Sequence, residues 1–398
     1  MKKIAIVCVF AMTAALVCAD AELDMYTFLY DGSQTQSEQL AILQSMAEAN
    51  VSGAGDFYAK ALTRLVAGYS NIRTATVTER SAASEQAKLR AGFVGTEKNT
   101  ASARDLWRIY TDFPQNEALA KAEALMALGK IQAKEYFPQV NEVLKVLNGE
   151  GKPPADPLNG ERIAYGAIIA LEKFQNPEAS LQLYKASNGW YTDRVKSQAA
   201  RSLDVISATL APYISGIIKS AGSTYQDKLT ALQTIQKSKA VNDDKSAVAV
   251  VALAQGWTAV TRNPTEQNTL ATMRRTAIDM IRGYGSSDAS IYPLLERSYS
   301  DGLAGEDEKF RTVRALSVLA TDDSARLLAQ FLSELNIKRQ RGNITQDDER
   351  MVREIIPALG ATKRPSGRFA LTAVINNDGW TPAVKTLARN ALNQMPAN

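Results

Sequence analysis

Apolar and small residues recur along the chain in a nine-residue pattern that is typical of amphipathic helices. An apolar residue comes first, often followed by a basic one, and alanine and leucine then fall at spacings that share one helical face. Val195–Leu203 and Val384–Leu392 match the pattern closely, and further close or loose copies are Ala120–Leu128, Ile163–Leu171, Met273–Ile281, Phe57–Leu65, Thr224–Leu232, Glu308–Leu316 and Met351–Leu359. Each copy predicts a helix whose small alanines let a neighbouring helix come close.

The spacing of the copies indicates an internal repeat. From the copy that ends at Leu171 to the copy that ends at Leu392, the mean period is about 37 residues, which is in the range of two-helix repeats. A polar break and a second apolar helix follow the copies, and no segment has the periodicity of a strand. We therefore expect an all-α fold in which helix pairs stack on one another.

A second marker has the same period. Turns with glycine end the second helices, at Gly149, Gly189, Gly222, Gly256, Gly302, Gly342 and Gly379. Because glycine adopts a left-handed backbone at little cost, these positions predict helix C-caps. At three of them a tryptophan follows directly, at Trp190, Trp257 and Trp380. These indole rings either anchor a binding partner or pack the turns between repeats.

The repeated unit resembles the HEAT repeat family, most closely the short bacterial form also found in phycobilisome lyase-like proteins. The resemblance extends from about Ala120 to Leu392, and copies depart from it at Lys228, Thr312 and Ile355, where the central alanine is replaced. It implies a right-handed α-solenoid of about eight to nine two-helix repeats and a role as a scaffold or docking surface. The tetratricopeptide family is the runner-up, but its characteristic aromatic and glycine set is not visible here.

The N-terminus has the form of a secretory signal peptide, predicted at residues 1–21. Two lysines precede an apolar run from Ile4 to Val17, and a small-x-small cleavage site follows at Ala19-Asp20-Ala21. The short signal looks bacterial and indicates export, most simply to the periplasm. The alternatives are an uncleaved anchor and a lipoprotein modified at Cys18, although the bulky Val17 before it is atypical of a lipidation site.

The mature chain divides by the regularity of its pattern. We expect residues 22–114 to form degenerate helical repeats or an N-terminal cap, and residues 115–398 to form the regular HEAT-like repeats. No segment after the signal is long and apolar enough to predict a transmembrane span.

Composition limits the chemistry that the chain can support. The chain has no histidine, and its only cysteines, Cys8 and Cys18, lie in the predicted signal, which removes the commonest general base and metal ligands. The net charge of +4 is evenly mixed and does not indicate nucleic-acid binding. We expect a non-enzymatic protein without catalytic residues, cofactor or metal. Three acidic pairs are predicted to cap helices: Asp243-Asp244, Asp322-Asp323 and Asp347-Asp348.

Two basic clusters are further candidates for partner binding. One lies in a loop predicted from Lys338 to Gln346, and the other lies one repeat later. If both project from the same edge, they form one positive patch for an acidic protein, a phosphate or an anionic lipid surface; otherwise they are solvated loops. Their residues are Lys338, Arg339, Arg341, Lys363, Arg364 and Arg368.

These features favour an exported scaffold or adaptor for protein–protein interaction in a bacterial cell envelope. A first alternative is a carboxylate-based envelope enzyme that acts on a polymer such as a glycan, which requires two acidic residues in one pocket. A second alternative is a surface-exposed adhesin. The identity of the protein partner and the oligomeric state stay open at this point.

Overall fold

The computed structural model describes residues 21–51, 53–149 and 151–396, and within them the chain is all-helical, with no strand. Apart from Ala21, the predicted signal peptide with Cys8 and Cys18 lies outside the described residues. No helix in the described part is both long enough and apolar enough to span a bilayer. The helices are residues 21–32 (α1), Gln36–Ala49 (α2), Gly55–Ile72 (α3), Val77–Thr96 (α4), Ala103–Asp112 (α5), Ala118–Lys130 (α6), Phe137–Asn148 (α7), Pro157–Phe174 (α8), Ser180–Asn188 (α9), Asp193–Val205 (α10), Leu210–Lys219 (α11), Tyr225–Lys237 (α12), Asn242–Thr258 (α13), Pro264–Tyr284 (α14), Ile291–Ser300 (α15), Glu306–Leu319 (α16), Asp322–Gln340 (α17), Gln346–Ala361 (α18), Arg368–Asn376 (α19) and Pro382–Asn393 (α20).

The described residues fall into two compact units, one up to Ile206 and one from Ser207 onward. In the first unit, α2, α4, α6, α8 and α10 pack in succession, and α3 packs on α5 and α7 on α9. In the second unit, α12, α14, α16, α18 and α20 form one such series, and α11, α13, α15, α17 and α19 form the other. Each unit therefore has a layer of even-numbered and a layer of odd-numbered helices. The division expected between residues 114 and 115 lies inside the first unit.

The nine-residue pattern coincides with the even-numbered layer. The copies from Ala120–Leu128 to Val384–Leu392 lie on α6, α8, α10, α12, α14, α16, α18 and α20, one copy on each helix. The helices predicted from these copies are therefore confirmed. The loose copy Phe57–Leu65 lies instead on α3, in the odd-numbered layer, within the part of the chain that was expected to be less regular.

Glycine and alanine let the even-numbered helices approach closely. A Cβ atom on Gly129 of α6 would lie 2.6 Å from the Cα of Ala170 on α8, and one on Gly360 of α18 would lie 2.9 Å from the Cα of Ala391 on α20. Such distances leave no room for a methyl group. The alanines of the pattern therefore act as predicted, as the surface on which the next helix rests.

Most residues that have a left-handed backbone after a helix are not the glycines that were predicted there. The prediction is confirmed for Gly149 (φ +46°) and Gly342 (φ +73°). It is wrong for Gly256, which lies inside α13, and for Gly222, Gly302 and Gly379, which are not left-handed. Gly189 is the C-cap of α9 as predicted, but with φ −83° it is not left-handed. Left-handed residues instead follow several even-numbered helices, at Gln132, Gln175, Ala320 and Lys363. Non-glycine residues tolerate this conformation at a cost of about 1–2 kcal/mol, which packing on both sides of the turn offsets.

The three acidic pairs lie in the first turns of α13, α17 and α18. The prediction that they cap these helices is wrong, because they lie inside the first turn and other residues occupy the N-cap positions. Their negative charge near the helix N-termini still complements the helix dipole, as expected. The side-chain caps themselves are Thr321, which binds the N–H of Ser324, and Thr345, which binds the N–H of Asp348.

Candidate interaction site

The three tryptophans of the Gly-Trp turns are held within their own unit. Trp257 and Trp380 are buried, and Trp190 is half-buried. The Nε1–H of Trp257 donates to Ser298 Oγ at 2.9 Å, and that of Trp380 donates to Asn336 Oδ1 at 2.7 Å. Trp190 donates to the carbonyl oxygen of Leu147 at 3.0 Å. These contacts favour a packing role for the indole rings, with Trp190 the most accessible of the three.

Trp257 lies beside a buried ion pair. The guanidinium of Arg274 lies 4.0 Å from the centre of the indole ring and donates two hydrogen bonds to Glu308, at 2.7 and 3.0 Å. A Cβ atom on Gly256 would lie 2.5 Å from the Cγ of Arg274. Gly256 is therefore required inside α13 because the arginine stem passes over its backbone.

The first basic cluster is largely engaged in contacts of its own. Lys338 and Arg339 lie in the last turn of α17, so the predicted loop begins later than expected. Lys338 pairs with Asp348 at 3.0 Å, and Arg339 pairs with Glu349 at 2.7 Å while it also donates to the carbonyl oxygen of Gly379. The remaining member, Arg341, is exposed and forms no side-chain hydrogen bond or ion pair with the described residues.

The second basic cluster lies at the other end of α17. Arg364 donates to the carbonyl oxygen of Ala320, just before α17, at 3.0 Å, and Arg368 donates to that of Pro396 at 2.9 Å. Lys363 is exposed. Because α17 is 19 residues long, its two ends are about 25 Å apart. The hypothesis of one continuous positive patch is therefore wrong, since Arg339 and Arg364 mark opposite ends of the same helix.

Carboxylates converge in one cleft of the second unit, with a volume of about 320 Å³. Desolvation and hydrogen-bond contact with Asp347 raise the pKa of Glu306. Asp347 also pairs with Arg350 at 3.2 Å, and Asp348 pairs with Lys338. Glycosidases place their two carboxyl groups about 5 Å or more apart. The carboxyl groups of Glu306 and Asp347 are in hydrogen-bond contact and are therefore closer than such a catalytic pair. Among the described residues, no group of three or more acidic or other metal-binding side chains is arranged to hold a metal ion.

An open groove with a volume of about 370 Å³ lies on the even-numbered layer of the first unit. We call it the α4–α10 groove, because its lining runs from Lys88 of α4 to Val195 of α10. Apolar side chains form its floor. Leu119 of α6 and Leu158 of α8 are 46% and 59% exposed, and Met126 and Tyr165 beside them are half-buried.

Three of the charged side chains that line the groove have partners. Lys88 pairs with Glu85 at 2.8 Å, and Glu123 pairs with Lys130 at 3.3 Å. A carboxylate oxygen of Glu161 accepts the backbone N–H of Thr192 at 2.6 Å. The charges of these three groups are therefore partly compensated within the unit.

Two arginines in the groove lack such compensation. Arg162 donates to Asn159 Oδ1 at 3.3 Å, and the guanidinium of Arg194 lies 4.9 Å from the centre of the Tyr165 ring. Neither forms an ion pair with any of the described residues. The groove thus combines an exposed apolar floor with two cations that have no carboxylate partner.

Sequence reasoning missed the groove, although the repeat contains a signal for it. Leu119, Arg162 and Arg194 each stand directly before the first residue of a motif copy. Equivalent positions of successive repeats lie side by side when the repeats stack. A comparison of the residue at this position in successive copies would have predicted that these three residues lie side by side.

Comparison with known proteins adds no assignment to this geometry. No family model matches the chain, and no curated protein matches it in sequence.

Proposed function

We propose that the chain is an exported, non-enzymatic scaffold or adaptor that binds a protein partner in a bacterial cell envelope. The observation that supports it best is the position of the motif on every second helix from α6 to α20. These positions are used for contacts between neighbouring helices, which is the organisation of repeat proteins. We include in the proposal that the helix pairs are HEAT-like repeats of a right-handed α-solenoid with about eight to nine repeats.

The groups available for chemistry favour binding over catalysis. Asp348, Glu349 and Glu308 each pair with a lysine or arginine. The α4–α10 groove, in contrast, presents apolar side chains and cations that have no ion-pair partner in their own unit. Apolar floors with unpaired charges are suited to recognition, because the partner supplies the missing contacts.

The export part of the proposal rests on the N-terminal sequence. Mass spectrometry of the protein from a bacterial host should find a mature N-terminus at about residue 22 in the envelope fraction. A full-length chain in the cytoplasm would contradict export, and a lipid on Cys18 would identify the lipoprotein form instead.

The binding part can be tested by crosslinking in intact cells followed by affinity capture. We expect one or a few envelope proteins to be recovered specifically with the full-length gene product. The cleft at Glu306 meets one requirement of the polymer-degrading alternative, a pocket with converging carboxylates, although Glu306 and Asp347 are closer than a glycosidase pair. Release of soluble fragments from cell-wall glycan by the wild type, but not by Glu306→Gln, would favour that alternative over the scaffold.

A further inference from the structure

We propose that the α4–α10 groove binds an acidic amphipathic segment of the partner protein. Apolar side chains of that segment would contact Leu119 and Leu158, and its carboxylates would pair with Arg162 and Arg194. The inference rests on the proposed scaffold function and gives it a location and a partner chemistry.

The apolar part of the argument comes from exposure. Leu119 and Leu158 are among the large apolar residues that remain exposed, at 46% and 59%, and both line the same concave groove. Met126 and Tyr165 extend the same lining. Removing such a patch from water is favourable, and exposed apolar surface in a concave site is typical of a binding surface.

The acidic character follows from the charges that line the groove. Arg162 and Arg194 have no ion-pair partner among the described residues, whereas Glu123 pairs with Lys130. Glu161 accepts the N–H of Thr192 and keeps its negative charge. The lining still has three cations, with Lys88, against two carboxylates. A basic segment would meet two uncompensated arginines, and an acidic segment would neutralise them. The arginines also stand beside the apolar floor, so that a carboxylate can reach them from the same segment that covers the leucines.

Three helices strengthen this preference through their orientation. The groove is lined by the first turns of α6, which begins at Ala118, and of α8, which begins at Pro157. Thr192 and Arg194, at the start of α10, line it as well. Helix N-termini carry a partial positive charge, which Asp156 at α8 and Asp193 at α10 offset in part.

An amphipathic helix of about 16 residues, or roughly four turns, is a suitable probe. We would compare a labelled leucine–glutamate peptide with the corresponding leucine–lysine peptide by fluorescence anisotropy, using the full mature chain. We expect the leucine–glutamate peptide to bind at least about tenfold more tightly than the leucine–lysine peptide. Its affinity should fall as the salt concentration rises.

Substitutions in the groove should remove this preference. The double substitution Arg162→Glu with Arg194→Glu should lower the affinity for the leucine–glutamate peptide by about tenfold or more. Leu158→Asp alone should also lower that affinity. The matched controls are Arg104→Glu and Val146→Asp, because both residues are exposed in the same unit and do not line the groove. Unchanged thermal melting would show that each variant folds.

Three outcomes would overturn the inference. The first is equal binding of both peptides or of neither, and the second is equal weakening by the control substitutions. The third is binding of the full chain to phosphatidylglycerol vesicles with the same dependence on Arg162 and Arg194 while the peptides do not bind, which would assign the groove to a lipid surface.

A photo-crosslinker in cells separates this inference from the scaffold proposal. At Met126 it should capture a partner segment that is rich in acidic and apolar residues, as identified by mass spectrometry, whereas a crosslinker at Val146 should not. Capture at Val146 alone would contradict the proposal that the partner binds in the α4–α10 groove, but it would not contradict the proposed scaffold role. Absence of specific capture from every surface position would overturn both.

Discussion

Two buried arginines, one in each unit, are accommodated in different ways. In the second unit, Arg274 faces the carboxylate of Glu308 and forms two charged hydrogen bonds with it. In the first unit, Arg90 is completely buried without any carboxylate partner. It donates to the carbonyl oxygen of Ala61 at 2.6 Å and to the side-chain oxygens of Tyr30 and Gln86, and its Nε has no partner.

These two sites show that a buried arginine can be stabilised by neutral hydrogen-bond acceptors or by a carboxylate. Burial lowers the pKa of Arg90 to about 10, so this arginine still carries its charge at neutral pH and is stabilised by dipoles alone. Arg274 has a full counter-charge, although burial raises the pKa of Glu308. Removing one member of an ion pair leaves the other charged and buried, whereas removing Arg90 leaves only neutral groups without a donor. We therefore expect the paired site to be the more sensitive of the two.

The largest effect should follow Arg274→Met. It leaves the Glu308 carboxylate buried without a cation, and we expect a loss of about 3–5 kcal/mol in the free energy of unfolding. Urea unfolding monitored by circular dichroism measures it. Arg275→Met is the matched control, because that side chain is 37% exposed and its contact with Asp307 is 3.6 Å long; it should change stability by no more than about 0.5 kcal/mol.

The double variant Arg274→Met with Glu308→Leu should recover most of that loss, because apolar side chains of similar size replace both charges. A double variant no more stable than Arg274→Met would show that the charge left behind is not the cause.

Arg90→Met should have a smaller effect, a loss of about 2–3 kcal/mol, because Tyr30, Gln86 and the carbonyl oxygen of Ala61 each lose a donor but no charge is left without a partner. The same unfolding experiment applies, with the exposed Arg104→Met as its control. A loss equal to that of Arg274→Met would remove the distinction between the two sites.

The smallest effect should come from an ion pair near the surface. Burial alone would raise the pKa of Asp348, but hydrogen bonds from Thr345 and Lys338 outweigh it and lower the pKa below 3.8. Its stabilisation is therefore present above about pH 4 and is lost as the pH falls through the lowered pKa.

We expect Asp348→Asn to cost about 0.5–1 kcal/mol at neutral pH, with the difference from wild type shrinking as the pH falls from neutral to below about 4. Thermal melting across this range measures it, and Asp378→Asn is the control because that side chain is fully exposed. A difference that stays constant with pH would contradict the assigned pKa direction.

Sequence periodicity predicted the even-numbered helices, because alanine and leucine at helical spacing leave little choice of structure. It could not predict which residues meet across repeats. Glu308 replaces an apolar residue at the first position of its copy, and Arg274 is the basic residue at the second position of the copy before it. The departure at Glu308 and the basic residue at Arg274 were both visible in the sequence, but their pairing depends on how closely two helices approach.

The turn conformations and the α4–α10 groove also could not be predicted from the local sequence pattern. Ala320 and Lys363 are left-handed after even-numbered helices, where no left-handed residue was expected; neither is a glycine, so residue type did not indicate the conformation. Arg162 was missed since an arginine before a helix motif is ordinary by itself. Only the neighbouring Leu158 and the absence of an ion-pair partner make it a candidate for recognition.

The contact of Gly129 with Ala170 restricts how this protein can change during evolution. Most single-nucleotide changes at a glycine codon introduce a side chain, and here even a methyl group would collide with backbone. Surface positions such as Leu158 are free of that constraint. Natural variation should therefore accumulate on the outward-facing side chains while the tightly packed joints persist.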